Sequence, residues 1–267
     1  MILAADVGNS HIVIGCIEND EIIAEIRLVT NKMATENEYA IKIRQILEFE
    51  NIDYSNVEGS IISSVAPQVT VPLKRALKKL TGIDPIVVGA GIKTGLNIKL
   101  DDPGSLGADL VSGSVGAISK FGYPLIVLNM GTATTIAVID KDGAYIGGAI
   151  VPGVQVSLNA LTSEASLLQN VSISEPKKCI AQNTTDSIKS GSVYGTASMI
   201  DGMIDRMQKE LGYTAKVIAT GELVKSIIPC CNHEIECDEN LLLDGLNILY
   251  KKNLKRKNLK ELQRKTE

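Results

Sequence analysis

Apolar and polar positions along this chain fall into two successive, similar patterns. Residues 2–6, 11–17 and 21–28 are runs of Ile, Val, Leu and Ala, the last two joined by a turn at Glu18-Asn19-Asp20. Such runs bounded by turn residues predict three strands. In "ENEYAIKIRQILEFEN" the residues Ala40, Ile43, Ile46 and Leu47 recur at helical spacing. "GSIISSVAP" predicts a short buried strand that stops at a proline. "VTVPLKRALKKLTG" predicts a helix with Leu73, Ala76, Leu77 and Leu80 inward and a glycine after its end. "DPIVVG" adds a strand, so the predicted order is three strands, helix, strand, helix, strand.

The second half restarts the plan. "PLIVLNMG", "TTIAVID" and "AYIGGAIV" predict three strands, with Asp140-Lys141-Asp142-Gly143 as a hairpin turn. Laying Gly131 over Gly8 puts Asn129 on Asp6, Thr132 on Asn9, and Asp142-Gly143 on Asn19-Asp20. Helical spacing returns at Met199, Ile200, Met203, Ile204, Met207 and Leu211, a stripe that belongs to a core or a dimer interface rather than a cofactor box. "AKVIATGE" predicts a late strand, and 241–262 a helix with a basic, solvated tail. Two unrelated hairpins would not share turn spacing and a polar break, so an internal duplication is expected. It divides the chain near 115–120, into domains 1–117 and 118–267.

Each half interrupts its first hairpin with polar residues, "DVGNS" and "NMGT". A tight glycine-containing turn points backbone N–H groups at one spot, a concavity suited to phosphate oxygens. Two such turns facing across a cleft would grip a nucleoside triphosphate, with Asp6 positioning hydrated Mg²⁺ at the phosphates. "ATGE" at 219–222 adds a loop at the position of a nucleotide edge. Asp109 in "GADL" precedes a helix rich in small residues; spacing alone leaves it as a helix cap or as the general base of a kinase. His11 follows Ser10 and is expected at a strand edge.

Composition narrows the class without naming the chemistry. The 267 residues suffice for two packed halves, and 45% hydrophobic content is ordinary for a globular protein. A formal charge of −4 leaves no basic footprint for nucleic acid. No apolar stretch is long enough to span a membrane, and no basic n-region opens the chain. Five irregularly spaced cysteines argue against a disulfide framework and for a reducing, cytoplasmic setting. Cys230, Cys231, His233 and Cys237 match no zinc spacing, and a surface connection with incidental thiols is expected there.

On these residues the chain resembles the type III pantothenate kinases, within the acetate and sugar kinase, heat-shock chaperone and actin superfamily. "DVGNS" is similar to that family's Asp-x-Gly-Asn-Thr motif, and "TGLNIKLDDPGSLGADL" to its segment ending in Gly-x-Asp-Arg. "GTATT", "GGAIVPGVQVSLNAL", "NTTDSIKSG", "VIATGEL" and "LLLDGLNILY" resemble later blocks. The resemblance implies an α/β protein of two ribonuclease-H-like, actin-like ATPase domains related by duplication, with a nucleotide cleft between them. It implies a homodimer and ATP-dependent phosphorylation of pantothenate, the first step of coenzyme A synthesis. Asp6, Gly8, Asn9, Ser10, Gly131 and Thr132 would bind ATP, with Mg²⁺ held through Asp6. Asp109 would be the general base, and Gly107, Ala108, Asp109 and Thr184 would line the pantothenate site.

Four positions depart from that pattern. Ser10 stands for the usual Thr and keeps the hydroxyl. Leu100 stands for Tyr and Leu110 for Arg, both at substrate contacts, which removes a charge-assisted hydrogen bond. Asn129 stands for the Asp that ligates an activating K⁺ or NH₄⁺. These changes imply weakened or altered use of pantothenate. The alternative is a nucleotide-binding, non-catalytic paralogue with a regulatory or partner-binding role.

Overall fold

In the computed structural model, which describes residues 1–165, 167, 168 and 171–266 and side chains through Leu254, the strands are β1 (Ile2–Val7), β2 (His11–Glu18), β3 (Glu21–Val29), β4 (Gly59–Ser64), β5 (Ile86–Val87), β6 (Asn97–Ile98), β7 (Leu125–Met130), β8 (Ala133–Ile139), β9 (Ala144–Pro152), β10 (Lys216–Thr220) and β11 (Glu236–Cys237). The helices are α1 (Glu36–Phe49), α2 (Pro67–Thr81), α3 (Ala108–Phe121), α4 (Val154–Glu164), α5 (Thr184–Leu211), α6 (Val224–Ile227) and α7 (Leu241–Thr266).

The strands form two sheets, ordered β3-β2-β1-β4-β5 and β11-β10-β7-β8-β9-β6. Taken from its other edge, the second sheet repeats the first, β9-β8-β7-β10-β11, with β6 added beside β9. Strand directions repeat too: β1 is antiparallel to β2 and parallel to β4, and β7 is antiparallel to β8 and parallel to β10. This repeated connectivity is the duplication that the turn spacing predicts. The strand–helix order of the first half is also the predicted one.

Contacts divide the chain into two compact units. The first holds Met1–Leu96, Asp101–Ser119 and everything from Asn240 onward; the second holds Asn97–Leu100 and Lys120–Glu239. The expected division into 1–117 and 118–267 therefore needs correcting at the C-terminus. The reason is apolar: Leu243, Leu246, Leu249 and Tyr250 of α7 share a buried cluster with Ile2, Ala4 and Ile61 of the first sheet. The expected basic tail lies outside the described side chains, and the helix itself runs on to Thr266.

In the first unit, Leu3, Ala5 and Val7 face α1 and α2, where Ile43, Leu47, Leu73 and Leu77 are fully buried. Tyr39, not foreseen as core, is buried beside them and its hydroxyl donates to the Asn31 carbonyl at 2.8 Å. In the second unit, Ile200 and Ile204 of α5 are fully buried, with Met199, Met203, Met207 and Leu211 packed against the same core. The methionine stripe is thus core. Helix α4 and strand β6 have weak patterns and were not foreseen; α4 buries only Val154 and Leu158, and β6 is two residues long.

Helices α3 and α7 cross backbone to backbone. A β-carbon at Gly245 would collide with the Ser112 carbonyl, and one at Gly116 with the Leu241 carbonyl. Gly245→Ala is therefore expected to destabilise the protein by about 1–3 kcal/mol, the usual range for overpacking. Gly195→Ala, which meets open space on α5, is expected to stabilise by about 0.5–1 kcal/mol. Denaturant titration of both variants checks the contrast.

Candidate active site

The two-residue period of β1 decides where its polar residue goes. Leu3, Ala5 and Val7 take one face and Ile2 and Ala4 the other, so Asp6 falls on the face that α3 and α7 cover. Desolvation there pushes its carboxyl from an ordinary 3.8 up to about 7; the Ser63 hydroxyl opposes the rise and the Asp109 charge adds to it. Ser63 is Asp6's register partner on β4. It went unnoticed in the sequence, where it only ends the apolar run "GSIISS".

Asp109 is the second residue of α3 rather than the residue before it. Its Oδ1 accepts the Leu110 N–H at 2.8 Å, so it does satisfy a donor at the helix start. Burial raises its pKa while hydrogen bonds from the Leu110 and Asp109 backbone lower it. The carboxylate needs Gly107: a β-carbon there would stand 2.5 Å from Oδ1. The first unit thus brings together two carboxylates whose burial favours the protonated form, on facing elements, with Ala108 and Leu110 half-buried on either side of Asp109.

The Gly8–Ser10 turn is tied down at both ends. Gly8 N–H donates to the His11 carbonyl at 2.9 Å, and Thr30 Oγ1 donates to the Gly8 carbonyl at 2.8 Å. Thr30 N–H also donates to the Ser10 carbonyl at 2.9 Å. Asn9 and Ser10 remain exposed at the tip, and His11 is half-buried at the start of β2. Thr30, remote in sequence, had no local signal.

The second unit holds the matching turn. Gly131 N–H donates to the Ala133 carbonyl at 3.1 Å, and Gly153 N–H to the Thr132 carbonyl at 3.0 Å. Asn129, the residue before the end of β7, is half-buried and paired with Thr135 on β8 and Thr220 on β10. Leu100, half-buried, and Thr184, exposed as the first residue of α5, also belong to this unit.

The cysteine segment has a structural job. The Asn232 N–H donates to both Asp201 carboxylate oxygens at 3.0 and 2.9 Å, and the His233 N–H donates to Asp201 Oδ1 at 3.2 Å. His233 Nε2 lies 2.8 Å from Asp205 Oδ1. The segment is therefore clamped onto α5. All five cysteines are free thiols, and among the described residues no group of three His, Cys, Asp or Glu side chains is arranged to hold a metal ion.

A family model described as type III pantothenate kinase matches residues 2–206. A type III pantothenate kinase of Halalkalibacterium halodurans is 41% identical over 254 residues, covering 95% of this chain and 100% of that one. The chain belongs to the type III pantothenate kinase family. It is a kinase of the two-domain, ribonuclease-H-like fold. A solved structure from Campylobacter jejuni, described as a putative Baf family transcriptional activator, has a TM-score of 0.59 at 20% identity, covering 95% of this chain and 99% of that one. A putative 2-dehydro-3-deoxygalactonokinase from Sinorhizobium meliloti has a TM-score of 0.58 at 12% identity, covering 94% and 96%. These two likenesses are of fold.

The donor set at Asp6 suits a hard cation: a desolvated carboxylate with a second carboxylate acting on it is relieved by positive charge. The stability consequence has a definite sign. Because burial raises the folded pKa of Asp6 to about 7, its contribution to stability is complete below the unfolded pKa near 4 and is lost as pH rises through 7. In metal-free protein at pH 8, Asp6→Asn is expected to be more stable than wild type by on the order of a few kcal/mol, a gap that closes toward pH 4. Melting curves of both proteins at several pH values check it.

Proposed function

We propose that this chain transfers the γ-phosphoryl group of ATP to the hydroxyl of pantothenate, opening coenzyme A synthesis. The observation that carries the reading is the pair of carboxylates Asp6 and Asp109 on β1 and α3 of one unit, beside the anchored Gly8–Ser10 turn. Asp109 takes the proton of the acceptor hydroxyl as its oxygen bonds to phosphorus, and ADP leaves with the electrons of the broken P–O bond. The raised pKa of Asp109 makes it a stronger base than an exposed aspartate. Asp6 would hold Mg²⁺, which when bound would neutralise charge on the phosphates. Gly8, Asn9 and Ser10, and Gly131 and Thr132, are the phosphate-binding turns. Gly107 and Thr184 belong to the pantothenate site.

The reading carries with it a homodimer in the cytoplasm. The five free thiols accord with that setting, and Ile150, Val156 and Leu161 are exposed apolar residues on the β9–α4 segment available for a dimer contact. Among the described residues no helix is long and apolar enough to cross a membrane.

Asp109→Asn is expected to keep ATP affinity and to lose about 10²- to 10⁴-fold in transfer rate. A coupled ADP-release assay with pantothenate, alongside ATP titration, measures both; a variant that transfers at the wild-type rate removes Asp109 as base and leaves it a helix cap.

Leu110 sets the substrate affinity. One residue from Asp109 and half-buried, it offers no donor to the carboxylate or neighbouring oxygens of pantothenate. Leu110→Arg combined with Leu100→Tyr is expected to tighten pantothenate binding roughly ten- to a hundredfold, the equivalent of one charge-assisted hydrogen bond. Calorimetric titration with nucleotide present measures this. Tight binding by the unmodified chain shows that another residue already does the work of the guanidinium.

A further inference from the structure

The two units build corresponding hairpins, the second with a turn one residue shorter, that carry different chemistry at one matched position. Asp6 on β1 and Asn129 on β7 each stand one residue before the end of the strand, which leads into a glycine turn and is flanked by one antiparallel and one parallel neighbour. The flanking residues differ as well. Asp6 has Val13 and Ser63 as register partners, whereas Asn129 has Thr135 and Thr220. We propose that the Asn129 carboxamide donates a hydrogen bond directly to an anionic oxygen of the nucleotide's polyphosphate, with Thr135 beside it, so that this end of the site works without a monovalent cation. The proposal rests on the kinase reading above and specifies how the second turn recognises its ligand.

Several observations favour an anion here over a cation. An ionised carboxylate only accepts hydrogen bonds and needs a cation between itself and a phosphate, while a carboxamide carries two N–H donors. Among the described residues the Asn129 side chain, half-buried, makes no hydrogen bond within the protein. Thr135 is 9% exposed, and its hydroxyl is buried with no partner. Buried polar groups of this kind cost free energy unless something completes them. No carboxylate stands at either register partner of Asn129, so nothing there balances a bound cation.

Backbone segments approach one another closely around the turn, leaving no room for a side chain at two positions. A β-carbon at Gly221, whose φ is +109°, would stand 2.6 Å from the Met130 carbonyl oxygen. One at Gly153 would collide with the Gly131 and Thr132 carbonyls. Gly153 is also the residue before α4, which starts with no side-chain cap. The 11-residue helix therefore presents its unsatisfied N–H end next to the turn, a further preference for negative charge.

The test is calorimetric titration of the full chain with ATP and Mg²⁺, in tetramethylammonium chloride and again in potassium chloride. The unmodified chain is expected to bind with the same affinity in both salts. Asn129→Ala is expected to weaken binding about tenfold or more in both. Asn129→Asp is expected to weaken it in tetramethylammonium and to recover in potassium, because a cation then bridges carboxylate and phosphate. Thr135→Val, which keeps the side-chain shape, is expected to lower ATP affinity without lowering the melting temperature, since its hydroxyl has no partner to lose. An affinity of the unmodified chain that climbs saturably with potassium overturns the proposal, as does wild-type binding by Asn129→Ala. Either result alongside ordinary pantothenate phosphorylation leaves the kinase reading intact, whereas absence of ATP binding in both salts removes both.

Discussion

A carboxylate on a covered sheet face is the constraint around which the first unit is organised. Asp6 sits on the central strand, between β2 and β4, so every neighbour is already committed to the sheet. The apolar alternation of β1 leaves it no other direction. Burial pushes the group toward its neutral form, and the neighbouring Asp109 charge pushes the same way. An apolar residue at this position would spare the fold both effects. A carboxylate held where both burial and a second carboxylate disfavour its charge is the kind of cost that functional sites carry.

Helix α7 connects that constraint to the end of the chain. It packs on β1, β2 and β4 and crosses α3 with no side chain between the backbones at Gly116 and Gly245. It is also tied to the β2–β3 turn, where the Asn247 amide donates to Asp20 at 2.7 Å and Lys251 pairs with the same carboxylate. The helix that carries Asp109 is thus held in place by the last segment of the sequence. Residues more than a hundred positions away set the position of the proposed base.

Duplication supplied two hairpins of the same strand plan, the second with a turn one residue shorter, and side-chain chemistry separates them further. The matched turns both close with a glycine N–H bonded to a carbonyl two or three residues on, Gly8 to His11 and Gly131 to Ala133. One strand carries next to its end a carboxylate, which when ionised only accepts, and the other a carboxamide, which both donates and accepts. The strand order is shared, and the side chains at the matched position are free to differ because they point out of the ladder.

Local pattern was enough to determine much of this protein. The strand–helix order of the first half, the two-fold plan, the core stripes of α1, α2 and α5, and the candidates Asp6, Gly8, Asn129 and Gly131 follow from periods of two and 3.6 and from turn residues, while spacing alone left Asp109 as a cap or a base. Those signals depend only on neighbours in sequence. What the sequence left open depended on contacts between distant segments. Whether Asp109 meets Asp6 was decided by α3 folding over the even face of β1. Ser63, Thr135 and Thr220 gained their places from strand pairing and Thr30 from its bonds to the Gly8–Ser10 turn, none of which a local window records. The return of α7 to the first unit was decided the same way, because its Leu243, Leu246 and Leu249 fit the face beside Ala4 and Ile61, and burial of apolar surface is indifferent to where in the chain that surface comes from.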